Sequence, residues 1–231
     1  MVTDPHDGLP PGGFTLGDPQ WEPWHPREVT DRLAGLRAPW CVVAGWAVDL
    51  FLGEQTRAHD DVEIAVPGTG FAEVRQALSG YEFDVVGAGR RWPPESPAFD
   101  LLHQTWLRDP STGVYHLDVF REPHDGDTWI CRRDETIRMP YARLVRHTGD
   151  GIPYLRPEVV LLFKAKWTRD KDEADFARVL PSLDTDAGDW LADALGRVDH
   201  DHGWLARIST SGRELPTRGS VVVEQVVAHP A

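Results

Sequence analysis

The sequence predicts an α+β fold in which a mixed-sheet core is followed by a C-terminal helical unit. Three observations predict it. Short apolar runs with strand-like alternation recur between residues 40 and 132, separated by segments with helical spacing. After Gly151 the alternation stops, and Pro157 opens a succession of helical patterns reaching residue 198. The 231 residues suffice for one core, or for an α/β domain with a smaller helical companion. The expected division is a flexible segment at 1–20, an α/β core at 21–150, a helical domain at 151–208 and a tail at 209–231.

Taken in order, residues 1–20 are rich in Pro, Gly and Asp and carry no periodicity, which reads as a lead-in. Val29, Leu33 and Leu36 sit at helical spacing within 26–36. Residues 40–45 read as a buried strand ending at a small-residue turn, and 47–52 as a helix closed by Gly53. A strand at 62–66 is stopped by Pro67-Gly68, a helix follows at 71–78, and another strand at 82–86. Residues 87–97 form a Gly/Arg/Pro-rich loop. Two strands at 99–107 and 114–120 are joined by Asp109-Pro110-Ser111-Thr112-Gly113, and a short strand follows at 128–132. Helices are expected at 157–167, 172–180 and 186–198. In the tail, Val221-Val222-Val223 reads as an edge strand or as no element at all.

Composition narrows the function classes. A net charge of −13 argues against a long nucleic-acid partner, whose phosphates need clustered Lys and Arg. It leaves room for a nucleotide met by a local cationic patch and suits a cationic second substrate. The ten tryptophans are scattered, as packing residues are. Cys41 and Cys131 have no metal-ligand spacing and read as free core thiols of a reducing compartment. The N-terminus has neither a basic nor an apolar leader region, and no apolar run could span a bilayer, so a cytoplasmic protein with no membrane partner is expected.

The chemistry concentrates in His59-Asp60-Asp61-Val62-Glu63-Ile64. Asp61 and Glu63 leave one face of a strand while Val62 and Ile64 enter a core. Two carboxylates held side by side repel unless a cation sits between them, and hard oxygen ligands at a strand mouth suit Mg²⁺. Asp118, flanked by Leu117 and Val119, is projected from a later strand in the same manner. Three acids from neighbouring strands can hold metal and activate a hydroxyl for in-line attack on phosphorus. An Asp-x-Glu pair on a strand is, taken alone, more often a solvated face. The His59-Asp60 dipeptide leads into a strand, which excludes a helical His-Asp phosphohydrolase site.

The context of the pair is Ala44-Gly45-Trp46-Ala47-Val48-Asp49, then Gly53, then Thr56-Arg57-Ala58-His59. Over residues 38–66 this resembles the aminoglycoside and lincosamide nucleotidyltransferases of the polymerase-β-like superfamily. The resemblance implies a nucleotidyltransferase core with a phosphate turn at Gly45 and its neighbours Ala44 and Trp46. It further implies Mg²⁺ on Asp61 and Glu63, and Asp118 as metal ligand or base. ATP or another nucleoside triphosphate would be the donor, and a small-molecule hydroxyl the acceptor. The family's first glycine is Ala44 here, and a Cβ disfavours positive φ at that point. Two roles stand open for Arg57: held by Asp49, or reaching a phosphate. His59 reads as a structural hydrogen-bonding residue.

Only three of the 24 cationic side chains are lysine, and Lys164, Lys166 and Lys171 share one short window. A flexible point charge suits a triphosphate, so Lys164 and Lys171 are assigned to the nucleotide, on one helix face if the helix is unbroken across Arg169-Asp170. The alternative is a solvated pair such as Lys171 with Asp175. A cationic acceptor could meet Asp172 or Asp175. The rival functions are a protein-modifying nucleotidyltransferase and a catalytically idle nucleotide-binding module.

Overall fold

The computed structural model describes residues 8–211. In chain order the elements are β1 (Phe14–Thr15), α1 (Pro26–Arg32), β2 (Cys41–Val42), α2 (Ala44–Leu52), β3 (Glu63–Pro67), α3 (Phe71–Ala77), β4 (Glu82–Gly87) and β5 (Arg90–Trp92). They continue with α4 (Ala98–Leu101), β6 (Gln104–Arg108), β7 (Tyr115–Glu122), β8 (His124–Asp125), β9 (Thr128–Ile130), β10 (Arg138–Pro140), α5 (Tyr141–Leu144), β11 (Val145–His147) and β12 (Pro153–Leu155). The chain then runs through α6 (Pro157–Lys164), α7 (Asp170–Val179), α8 (Thr185–Val198) and α9 (Trp204–Ser211). The fold is α+β, with a mixed sheet and C-terminal helices.

Nine strands form one sheet in the order β1-β5-β4-β6-β7-β3-β2-β12-β11, and β10-β9-β8 form a second. At the centre β3 runs parallel to β7 and antiparallel to β2. Val62, Ile64, Val66, Leu117 and Val119 are fully buried, because period-two alternation sends them to the face covered by helices. The main hydrophobic core runs from Trp24 to Ile208 and joins this sheet to the C-terminal helices, and a small second cluster holds Val85, Trp92 and Ala98.

Several expected boundaries move. Part of the lead-in is tied to the sheet: β1 pairs with β5, and Trp92 Nε1 donates to the Pro10 carbonyl. A Cβ on Gly13 would fall 2.3 Å from the Trp92 ring, so glycine is what lets the chain cross that indole. Residues 98–101 are helical rather than the start of a strand, since Ser96 Oγ accepts from the Ala98 amide and Pro97 pre-sets φ. Residues 145–147 and 153–155 are strands of the large sheet, with β12 parallel to β2, so the sheet reaches into the segment read as helical domain. The helix expected over 157–167 ends at Lys164, and α7 begins at Asp170 with an Arg169–Asp172 capping arrangement. The possible strand at 221–223 lies outside the described residues.

Candidate active site

Strand β3 begins at Glu63, and its cross-strand partner on β7 is Asp118. Both side chains leave the sheet on the face opposite Ile64 and Val119, as the alternation requires. Asp61 lies just before the strand and is partly buried. Asp118 is only 2% exposed. Its Oδ2 accepts from Gln104 Nε2, and its Oδ1 has no hydrogen-bond partner. Burial, then the charge of Glu63, push the Asp118 carboxyl well above the ordinary aspartate range. Burial and the Asp61 charge push Glu63 up to about 7, against the opposing pull of Lys164, Lys171 and Arg169.

These features fit a divalent cation: a buried acceptor atom stands unpaired, and neighbouring carboxylates raise one another's proton affinity. Among the described residues, however, no group of three His, Cys, Asp or Glu side chains is already drawn together as a metal cage. Mg²⁺ needs none, since it usually takes one or two carboxylates and completes its shell with water and phosphate.

Helix α2 starts against this pair. Its first residue, Ala44, has φ +53°, the left-handed region that a Cβ penalises by about 1–2 kcal/mol. The helix begins immediately after β2, three residues earlier than the sequence pattern indicates, and no side chain caps its N-terminus. It closes at Gly53 in the left-handed conformation. Gly45 is buried for a reason of its own: a Cβ there would fall 2.3 Å from Arg57 Nη2 and 2.7 Å from the His59 ring.

The surrounding residues form a scaffold. Asp49 accepts from Thr56 Oγ1 at 2.6 Å and the Thr56 amide at 3.1 Å, and its other oxygen meets His59 Nε2 at 2.6 Å. Asp49 therefore anchors His59 rather than Arg57. Trp46 stacks on the His59 ring at 4.4 Å, so its indole face is occupied by protein. Arg57 donates to the Ala58 carbonyl and lies 4.0 Å from Asp175.

The lysines separate. Lys164 is buried and ion-paired with Asp172 at 2.9 Å and Asp175 at 2.8 Å. Those two acids are 1% exposed, which removes them as a surface for a cationic acceptor. Lys171 is exposed and has no ion pair among the described residues, so the alternative pairing with Asp175 is absent. The break between α6 and α7 puts Lys164 and Lys171 on different helices, yet both act on Glu63.

A cleft of about 400 Å³ runs along this face of the sheet from Ala44, Glu63, Lys164 and Arg169. It passes over Ala65 and Phe120 toward Trp129, Arg132, Glu122 and Tyr141. Its walls were not legible beforehand. Arg169 could have been noticed from its place in the lysine window. Gln104 carried no signal, since only the β6–β7 pairing brings it to Asp118.

Similarity to known proteins follows the same region. Residues 27–92 match the family model of aminoglycoside-2''-adenylyltransferase, a span holding α2, β3 and the Asp61–Glu63 pair. Solved structures with partial likeness include the lincosamide antibiotic adenylyltransferase LnuA with lincomycin bound, at 20% identity and TM-score 0.47 over 66% of this chain and 92% of that one. ANT(2'')-Ia in complex with adenylyl-2''-tobramycin is 15% identical, with TM-score 0.49 over 74% and 95%. An antigenic nucleotidyltransferase-like protein from Paracoccidioides brasiliensis is 15% identical, with TM-score 0.42 over 80% and 89%. No curated protein matches the chain. No helix among the described residues is long and apolar enough to cross a membrane.

Proposed function

We propose that the protein is a cytoplasmic nucleotidyltransferase that moves a nucleoside monophosphate, AMP in the first instance, from a triphosphate to a hydroxyl of a small molecule, an antibiotic of the aminoglycoside or lincosamide kind being the first candidate. The observation that carries this reading is the Glu63–Asp118 pair, side by side on parallel strands with Asp118 Oδ1 unpartnered. The match over residues 27–92 supports it.

Asp61, Glu63 and Asp118 would hold Mg²⁺, which when bound supplies positive charge against the triphosphate and the clustered acids. The uncapped N-terminus of α2 at Ala44–Gly45 offers backbone amides to phosphate oxygens. Lys171, an exposed cation that acts on Glu63, would meet the β- and γ-phosphates, with Arg169, held by Asp172, beside it. Lys164, Arg57 and Trp46 act from behind: Lys164 fixes α7 to α6, while Arg57 and Trp46 shape the loop carrying His59. In the transfer, the acceptor oxygen bonds to the α-phosphorus and the bond to the bridging oxygen breaks. Pyrophosphate leaves with that electron pair. The hydroxyl proton passes to Asp118, the carboxylate paired with Glu63 at that end of the cleft. Positioning and charge complementarity provide the acceleration.

The test is magnesium-dependent pyrophosphate release with each nucleoside triphosphate against aminoglycosides and lincosamides, alongside calorimetric binding of Mg-nucleotide. Turnover that requires Asp61 is expected. Absence of turnover with every acceptor, together with absence of Mg-nucleotide binding, would overturn the reading.

A further inference from the structure

The cleft beside the acids is built for an apolar body. Between the Glu63 end and the Glu122 end, its floor and wall are Ala65, Phe120, Val160 and Phe163. The charges along it leave no spare anion. Glu122 is 5% exposed, with Arg132 at 3.1 Å and Trp129 Nε1 donating at 3.0 Å. Lys164 is consumed by Asp172 and Asp175, and Glu63 belongs to the acid pair. The cations on the lining are taken in the same way, Arg132 by Glu122 and Lys164 and Arg169 by the buried acids of α7. A ligand carrying several ammonium groups would lose hydration there and find no counter-charge.

A second observation lies at the mouth. Trp167, in the turn between α6 and α7, lines the cleft and is 79% exposed, more than any other large apolar side chain among the described residues. The buried tryptophans of this chain pack against protein. This one presents its ring to whatever enters, with Lys166 Nζ 4.5 Å from it.

We infer that the acceptor is a hydroxylated molecule with an apolar body and at most one positive charge, its body lying over Ala65 and Phe120 and its outer end against Trp167. The inference rests on the proposed transferase reading and narrows it: a polycationic aminoglycoside is the wrong class. The acceptor's hydroxyl would sit at the Glu63 end of the cleft, where Asp118 is adjacent.

The test uses the full chain with Mg²⁺ and a non-hydrolysable ATP analogue. Lincomycin, a hydroxylated molecule with an apolar body and a single amine, is titrated calorimetrically against tobramycin, a polycation. Lincomycin is expected to bind at least about tenfold more tightly, the scale of one lost counter-charge or a few buried methylenes. Ala65→Phe, which fills the floor, should weaken lincomycin at least about tenfold and leave the ATP analogue's affinity unchanged. Trp167→Ala, at an exposed position that folding does not depend on, should weaken lincomycin about three- to tenfold. Tighter binding of tobramycin, no binding of lincomycin, or loss of the ATP analogue rather than lincomycin in Ala65→Phe would each overturn the inference. Failure of the wild type to bind the ATP analogue overturns the transferase reading instead, so the two failures are distinct.

Discussion

Two pairs of carboxylates lie near one another in this molecule, and they are treated in opposite ways. Asp172 and Asp175 on α7 are surrounded by cations: Lys164 touches both, and Arg169 Nε reaches Asp172 at 2.7 Å. Burial alone would raise Asp172, but hydrogen bonds from Arg169 and Lys164 hold its carboxyl down to about 2. Asp118 is also buried and Glu63 partly so, yet like charges act on them, Asp61 on Glu63 and Glu63 on Asp118, and both are pushed up despite the pull of Lys164, Lys171 and Arg169 on Glu63. The first pair locks helices together. The second is left short of positive charge, a condition that costs stability and is resolved by a ligand.

The sharpest way to break the comparison is to remove charge from each pair. Asp118→Asn should lower pyrophosphate release by about 10²–10³-fold or more, the scale of losing a central electrostatic group. Its melting temperature should hold or rise, because a repelling buried charge has gone; a variant that is both active and less stable would contradict the contrast. Asp172→Ala should do the reverse, costing about 3–5 kcal/mol in urea unfolding because Lys164 is left buried with a weaker partner. A loss below about 1 kcal/mol, the range of surface pairs, would return that ion pair to the category of decoration.

The pH dependence follows with opposite signs. Asp172, held at about 2, contributes stability that is present above its ordinary value of 3.8 and lost as pH falls toward 2. Glu63, raised from 4.5 to about 7, binds more protons folded than unfolded in that window, so its contribution falls as pH climbs from about 4.5 to 7. Urea midpoints measured from pH 3 to 8 should therefore decline toward neutrality in the wild type and flatten in Glu63→Gln; an unchanged slope would count against the raised carboxyl.

The smallest effect expected is at the turn. Ala44→Gly relieves a left-handed alanine and should add up to about 1 kcal/mol of stability, after the flexibility of glycine is deducted. A shift of the urea midpoint in the destabilising direction would show that the φ of +53° is not strained.

The acids could be read from the chain because a strand writes its faces with period two. Val62 and Ile64 bracket Glu63, and Leu117 and Val119 bracket Asp118, so both projections are local facts. What required the fold was register. Gln104 meets Asp118 only through the β6–β7 pairing, whose register shifts between Leu107 and Arg108. Strands β11 and β12 span three residues each, too few for a period to declare itself. Lys164 stood out by residue type, but its partners lie across a helix break that Arg169 caps, and no spacing rule reaches across such a break. The glycine motif was visible as a phosphate turn, whereas its contact with Arg57 and His59 depends on the chain folding back after Gly53.

The position of β12 has a consequence for how the chain matures. Its neighbour is β2, so the eighth strand position of the sheet cannot be filled until Leu155 has been synthesised, long after Cys41. Parallel pairing of segments so distant in sequence makes for slow, late closure. Until then the cleft lacks the wall that α6 supplies, and Phe120 and Ala65 face water. A nascent chain stalled before residue 155 would carry its acids already paired on β3 and β7 and still expose the apolar floor beside them, the surface by which it would aggregate or be caught by a chaperone.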